Sequence, residues 1–185
     1  MEITIRNYRP SDRVDLCRCL VSLGDYAVRL DPWHRLTRTP DYGRRLVPFA
    51  LSQVRAKHGF VLVAETDSEP AGIAIAWTLI PTGPDRTAEL PTKVGYVWGL
   101  VVLPPWRGRG IGTRLLRECE RRFRAAGCDQ LNIPAFVPNR RALGLYEREG
   151  FEPRFVRLGK RLGRARARWP QAPRKKRRLG VRQRR

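Results

Sequence analysis

Ile3 and Ile5 alternate with polar residues at the start of the chain, which predicts a first strand. Ser11 or Asp12 then stands as an N-cap before a helix carrying Val14, Leu16, Leu20 and Leu23. Residues 31–48 hold Pro, Gly and aromatics without a clear period and predict loop and short helix, followed by a helical stretch over Phe49–Lys57. FVLVAE (60–65) reads as a buried strand, TDSEP as a turn, and AGIAIAWTLI (71–80) as the second strand of a hairpin. A turn-rich connection over 81–93 leads to VGYVWGLVVL (94–103), a strand dense in Val and aromatics. Ile111, Leu115, Leu116, Cys119, Phe123 and Ala126 form one helical stripe, with Gly127 as its stop. LNIPAFV (131–137) alternates as a strand that Pro134 disrupts. Asn139 caps a short helix running to Glu149 and ended by Gly150, and FVRLGKRL (155–162) predicts a last strand.

This order predicts one mixed α/β domain, for which 185 residues suffice. The net charge of +21 changes the picture at one end. Of 38 basic residues, 14 lie in Arg157–Arg185, where there is no acid; the rest of the chain carries +7. From about residue 163 the chain is Arg, Lys, Pro and Gly with few large apolar groups, so 163–185 is expected to be a disordered basic tail. Cys17, Cys19, Cys119 and Cys128 show no C-x₂-C pairing, and the chain has only two histidines. No metal site is expected, and the four cysteines read as reduced and mostly buried, as in a cytoplasmic protein. The N-terminus lacks a secretory pattern, and AGIAIAWTLIP is too short to span a bilayer, so no membrane partner is expected.

The stretch WRGRGIGTRLL (106–116) carries the chemistry. RG repeats occur in disordered RNA-binding tails, but here a buried-type strand precedes the repeat and an amphipathic helix follows it. Gly108, Gly110 and Gly112 permit positive φ and leave room for a ligand against the backbone. The first amides of the helix point outward without partners, and the helix dipole adds positive potential there. Together they form an anion site suited to a pyrophosphate, to which Arg107 and Arg109 can add charge-assisted contacts. The string is not a P-loop, and Thr113 stands where the third glycine of a dinucleotide loop belongs.

What remains, Arg107-x-x-Gly110-x-Gly112, resembles the acetyl-CoA motif of the GCN5-related N-acetyltransferase (GNAT) family. NRRALGLYEREGF (139–151) resembles that family's second signature, and GLVVLPPWRGRGIG has its order of strand, proline, aromatic and loop. The resemblance covers 96–151 by motif and 1–162 by element order. It implies a mixed, mostly antiparallel central sheet flanked by helices, with splayed central strands forming an acetyl-CoA cleft. It also implies an N-acetyltransferase, with acetyl-CoA as acyl donor and a primary amine of a small molecule or protein as acceptor.

The family's residue roles carry over by position. Loop amides from Arg107 through Gly108, Arg109, Gly110, Ile111 and Gly112 to Thr113 would hold the pyrophosphate. The backbone of Val101, Val102 and Leu103 would pair with the pantetheine arm, with the Val102 N–H polarising the thioester carbonyl. Asn139 would contact the pantetheine, Arg140 and Arg141 would reach toward the phosphates, and Tyr146 would lie near the departing sulfur as proton or hydrogen-bond donor.

Many relatives place a glutamate on the strand before the loop; here that stretch is Tyr96-Val97-Trp98. Glu65, Asp85, Glu89 and His34 are base candidates by exclusion, and a water chain is an equal alternative. Trp77 and Trp98 suit core packing or an acceptor pocket, and Trp33, His34 and Tyr42 lie where the family borders its acceptor site. The resemblance leaves room for a homodimer. The tail would bind nucleic acid nonspecifically through its phosphates, or serve as an inert extension; RKKRR also resembles a nuclear address, a run that arises readily by chance. The competing function is a nucleic-acid-associated protein whose acetyltransferase-like domain is idle or only senses acetyl-CoA.

Overall fold

A computed structural model describes residues 2–67, 69–79, 93–154, 156–160 and 162. Five strands form one sheet in the order β1-β2-β3-β4-β5. They are β1 (Ile3–Asn7), β2 (Phe60–Thr66), β3 (Glu69–Leu79), β4 (Val94–Val102) and β5 (Gln130–Asn132). The first four pair antiparallel, and β5 joins β4 in parallel. Helices α1 (Arg13–Leu30), α2 (Tyr42–Ala56), α3 (Ile111–Ala125) and α4 (Arg140–Arg148) complete the fold.

The side-chain alternation of β3 assigns the two faces. Ala74 and Ala76 join a cluster with Ile111, Leu115, Cys119 and Phe123 of α3, whereas Ile73, Ile75 and Trp77 join Leu16 and Leu20 of α1 and Val47 of α2. Small residues under α3 let that helix approach closely, and at Gly95 a Cβ would stand 2.6 Å from the Phe123 ring. Burial pushes the Cys19 and Cys119 thiols up to about 12, so both behave as inert core groups. All four cysteines are free.

Helix α2 begins at Tyr42 and runs through Pro48, seven residues before the expected start. Proline suggests a helix boundary, but Gly43, Val47 and Ala50 form a buried stripe that tertiary packing maintains through it. Gly43 allows the close crossing: a Cβ there would lie 2.5 Å from Cys17 Sγ. The strand expected over 131–137 shrinks to Gln130–Asn132, because Pro134 offers no N–H to a ladder. The strand expected over 155–162 is absent from the described residues there, and Val156, Leu158 and Leu162 are exposed. Only Val156 and Leu158 alternate as one apolar face before Gly159 and Lys160 interrupt it.

The chain divides into two units, Met1–Glu152 and Pro153–Arg185. The second has no helix or strand among its described residues. The expected tail, 163–185, lies outside the described residues, as do Asp85 and Glu89. Among the described residues no helix is long and apolar enough to cross a membrane.

An ion-pair cluster locks β1 to β2 and to the turn before α1. Arg6 donates to both oxygens of Asp12, at 2.7 and 2.9 Å, and to Glu65. Asp12 also accepts the Arg9 N–H at 2.6 Å. The Arg6 hydrogen bonds hold the Asp12 carboxyl below its ordinary pKa. Asp12→Asn is expected to cost about 3 kcal/mol, since it strands part of a mostly buried guanidinium. That lowers the melting temperature by roughly 6–12 °C. A depressed folded-state pKa stabilises above the unfolded value, so wild type loses this contribution as pH falls below about 4, and the two melting curves converge in acid.

Candidate acyl-donor cleft

Strands β4 and β5 pair at only three positions, Val94 with Gln130, Gly95 with Leu131 and Tyr96 with Asn132. Beyond them the strands part, and a cleft of about 710 Å³ opens between β4, the 106–113 loop, α1 and α4. A β-bulge sharpens the change: Ile75 faces Gly99 while Ala76 faces Val97, leaving Trp98 without a partner on β3. Trp98 lines the cleft and stacks on Trp77 at 5.6 Å. Trp77 itself is core, 4% exposed.

Backbone direction along β4 follows from two contacts. The Leu103 N–H donates to Ala71 O at 2.9 Å, and Val101 O lies against Gly72 of β3. Groups two residues apart share a direction, so Leu100 and Val102 turn their N–H and C=O away from β3 toward the cleft. Of the three residues expected to offer backbone to a pantetheine arm, only Val102 turns its backbone groups toward the cleft. Val101 and Leu103 face β3 because ladder alternation allows only every second residue to face out. Leu100, which the motif did not mark, is the companion of Val102.

The strand feeds a glycine loop whose geometry matches its sequence. Gly108 and Gly110 have φ of 82° and 78°, and Gly110 is the N-cap of α3. Beyond its two chain neighbours, no atom lies within 4 Å of where a Gly110 Cβ would stand, so the loop is unobstructed on that side. Gly112 packs under Leu145, with 3.2 Å from its would-be Cβ to Leu145 Cδ2. Gly108, Gly110, Ile111, Gly112 and Thr113 all border the cleft. Arg107 borders it too, with its Nε donating to Val102 O at 2.9 Å. Arg109 does not; its guanidinium lies over the Trp106 ring.

Helix α4 forms the opposite wall through Asn139, Arg141, Ala142, Leu145, Tyr146 and Arg148. Arg140 is turned to solvent. The Asn139 side chain accepts the Ala142 N–H at 3.2 Å, a cap that fixes the start of the helix at the cleft. Tyr146 is 9% exposed, and desolvation pushes its phenol up to about 12. Sequence reasoning missed Tyr26, Leu100 and Arg148, all on this wall or its neighbours. Only Arg148 had a local signal, at seven residues from Arg141 on one helix face.

No carboxylate or imidazole stands among the described residues lining the cleft. Glu65 is held by Arg6, which depresses its pKa, and lies outside the cleft. His34 is exposed in a loop at φ 52° and also lies outside it. Tyr42 lines the cleft, seated against Gly24, whereas Trp33 does not.

Comparisons with known proteins agree with this architecture. The BH1408 protein of Bacillus halodurans superposes with a TM-score of 0.74 at 18% identity, over 86% of this chain and 99% of that one. A protein described as a putative acetyl transferase from Pyrococcus furiosus superposes at 0.67 and 19% identity, over 87% of this chain and 100% of that one. In sequence, the N-alpha-acetyltransferase MAK3 of Arabidopsis thaliana is 42% identical over 57 residues, 31% of this chain and 30% of that protein. The chain thus spans under a third of the length of this curated relative. Residues 27–151 match the acetyltransferase (GNAT) family, and with the splayed sheet and glycine loop in place the chain belongs to that family.

Proposed function

We propose that the protein is an acetyl-CoA-dependent N-acetyltransferase that moves an acetyl group to a primary amine of a small molecule or protein by direct attack on the thioester. The observation that carries this is one cleft in which the outward-facing backbone of Val102, the N-terminus of α3 behind Gly110, the α4 cap Asn139 and Tyr146 of α4 all meet. Similarity to an N-alpha-acetyltransferase over 57 residues supports an amine as acceptor.

The amides after Gly110 hold the pyrophosphate, with Arg107 and Arg141 supplying counter-charge. The Val102 N–H polarises the thioester carbonyl and stabilises the oxyanion as the C–N bond forms and the C–S bond breaks. Tyr146 donates a hydrogen bond to the departing thiolate. With its phenol near 12 and an ordinary thiol near 8.5, full proton transfer from Tyr146 runs uphill, so the sulfur takes its proton from solvent. The ammonium of the acceptor loses one proton through water before attack, and its nitrogen gives up a second to water as the tetrahedral intermediate collapses to the amide, which balances the proton taken up by the departing sulfur.

Acetyl-CoA is expected to raise the melting temperature of the full chain, and free thiol is expected to appear with at least one amine in a panel of small amines and peptides. The chain cut after Leu162 is expected to retain both properties, consistent with a catalytic domain in 1–162. Absence of a melting shift at millimolar acetyl-CoA would remove the donor site.

A further inference from the structure

Tyr26 sits on α1, ahead of the segment that matches the family. In the fold it stands on the cleft wall beside both the phosphate loop and the start of α4. Its hydroxyl donates to Asn139 Oδ1 over a long 3.4 Å, and the Arg107 guanidinium carbon lies 5.5 Å from its ring centre. One phenol therefore touches a residue of each wall.

The Asn139 contact has a direction. Asn139 Oδ1 also accepts the backbone N–H of Ala142. A backbone N–H can only donate, so oxygen must face it and the carboxamide cannot be flipped. With both oxygen lone pairs turned toward protein donors, the Nδ2 hydrogens are left for the cleft, where they suit an amide carbonyl. The Ala142 bond alone leaves the carboxamide plane free to pivot, and the second bond from Tyr26 restrains it. Arg107 is restrained in the same way: Val102 O fixes its Nε, and its guanidinium carbon lies over the Tyr26 ring, which leaves its Nη groups for an anion.

We propose that Tyr26 is a positioning residue for the acyl donor, presetting the Asn139 carboxamide and the Arg107 guanidinium for the donor's pantetheine amide and pyrophosphate. This rests on the donor-site reading above. Tyr26 acts on donor affinity by preorganisation, through Asn139 and Arg107.

The test is calorimetric titration of the full-length chain with acetyl-CoA, alongside melting curves without it. Tyr26→Phe keeps the ring under Arg107 and loses the hydroxyl; its Kd is expected to rise about threefold. Tyr26→Leu loses both contacts and is expected to rise about tenfold. Melting without donor is expected to be unchanged in Tyr26→Phe. Because Tyr26 acts through Asn139, the hydroxyl loss should vanish on an Asn139→Ala background, with the double variant binding as tightly as Asn139→Ala alone. Additive losses in the double variant, or an unchanged Kd in Tyr26→Phe, would overturn the inference while leaving the donor site standing. A wild-type chain that fails to bind acetyl-CoA would overturn both.

Discussion

Replacing Gly110 with valine is expected to weaken acetyl-CoA binding at least about a hundredfold, equivalent to two phosphate hydrogen bonds to charged oxygens. The chain is expected to stay folded. Gly110 occupies the left-handed region at φ 78°, which a β-branched residue adopts only with strain. Yet a Cβ there meets no protein atom, so the substitution disturbs backbone geometry and the anion seat rather than packing. Strain of about 1–2 kcal/mol lowers the melting temperature by roughly 2–8 °C. The proposed anion site would be lost because a valine that relaxes out of the left-handed region re-aims the first amides of α3. Calorimetry with acetyl-CoA, paired with a melting curve, separates the effects. Retained micromolar binding in a folded Gly110→Val chain would move the pyrophosphate elsewhere.

The second large effect is expected at Tyr146. Tyr146→Phe should lower kcat about a hundredfold, the scale for one donor aimed at developing negative charge, with acetyl-CoA affinity within about twofold. Free-thiol release at saturating donor, with the best amine of the panel, measures it. The pH profile adds a check. A phenol raised to about 12 stays neutral through the working range, so turnover should climb as the acceptor amine deprotonates, with no falling limb below about pH 11. The same shift affects stability: a raised folded-state pKa contributes fully below pH 10 and is lost as pH rises from about 10 to about 12. Equal turnover in the two proteins would leave Tyr146 as a wall residue, packed on Phe151 at 5.9 Å.

Local chemistry made part of this site legible in the sequence. The α3 stripe, the glycines of its N-terminal loop and the Asn139 cap each act within a few residues, so their spacing carries their structure. The start of α2 was hidden because Pro48 reads as a boundary, and only packing against α1 carries the helix through it. The bulge at Trp98 and the outward turn of Leu100 depend on register with β3, which no property of β4 alone specifies. Tyr26 was invisible for the same reason: 113 residues separate it from Asn139, and nothing about a tyrosine midway along a helix marks its partner.

The open edge at Leu100 and Val102 also bears on how the chain persists in a cell. Arg107 occupies the Val102 C=O, but the other N–H and C=O groups of these two residues face away from β3, and strand groups without a neighbour invite pairing with other chains. A pantetheine arm laid along it would serve as the missing neighbour. An acyl donor bound there would be a folding ligand as well as a reagent: at a hundred times its Kd it would add about 2.7 kcal/mol to stability. A chain that binds acetyl-CoA in this way would lose that support under donor starvation, and its abundance would then follow the acetyl-CoA pool with no dedicated sensor.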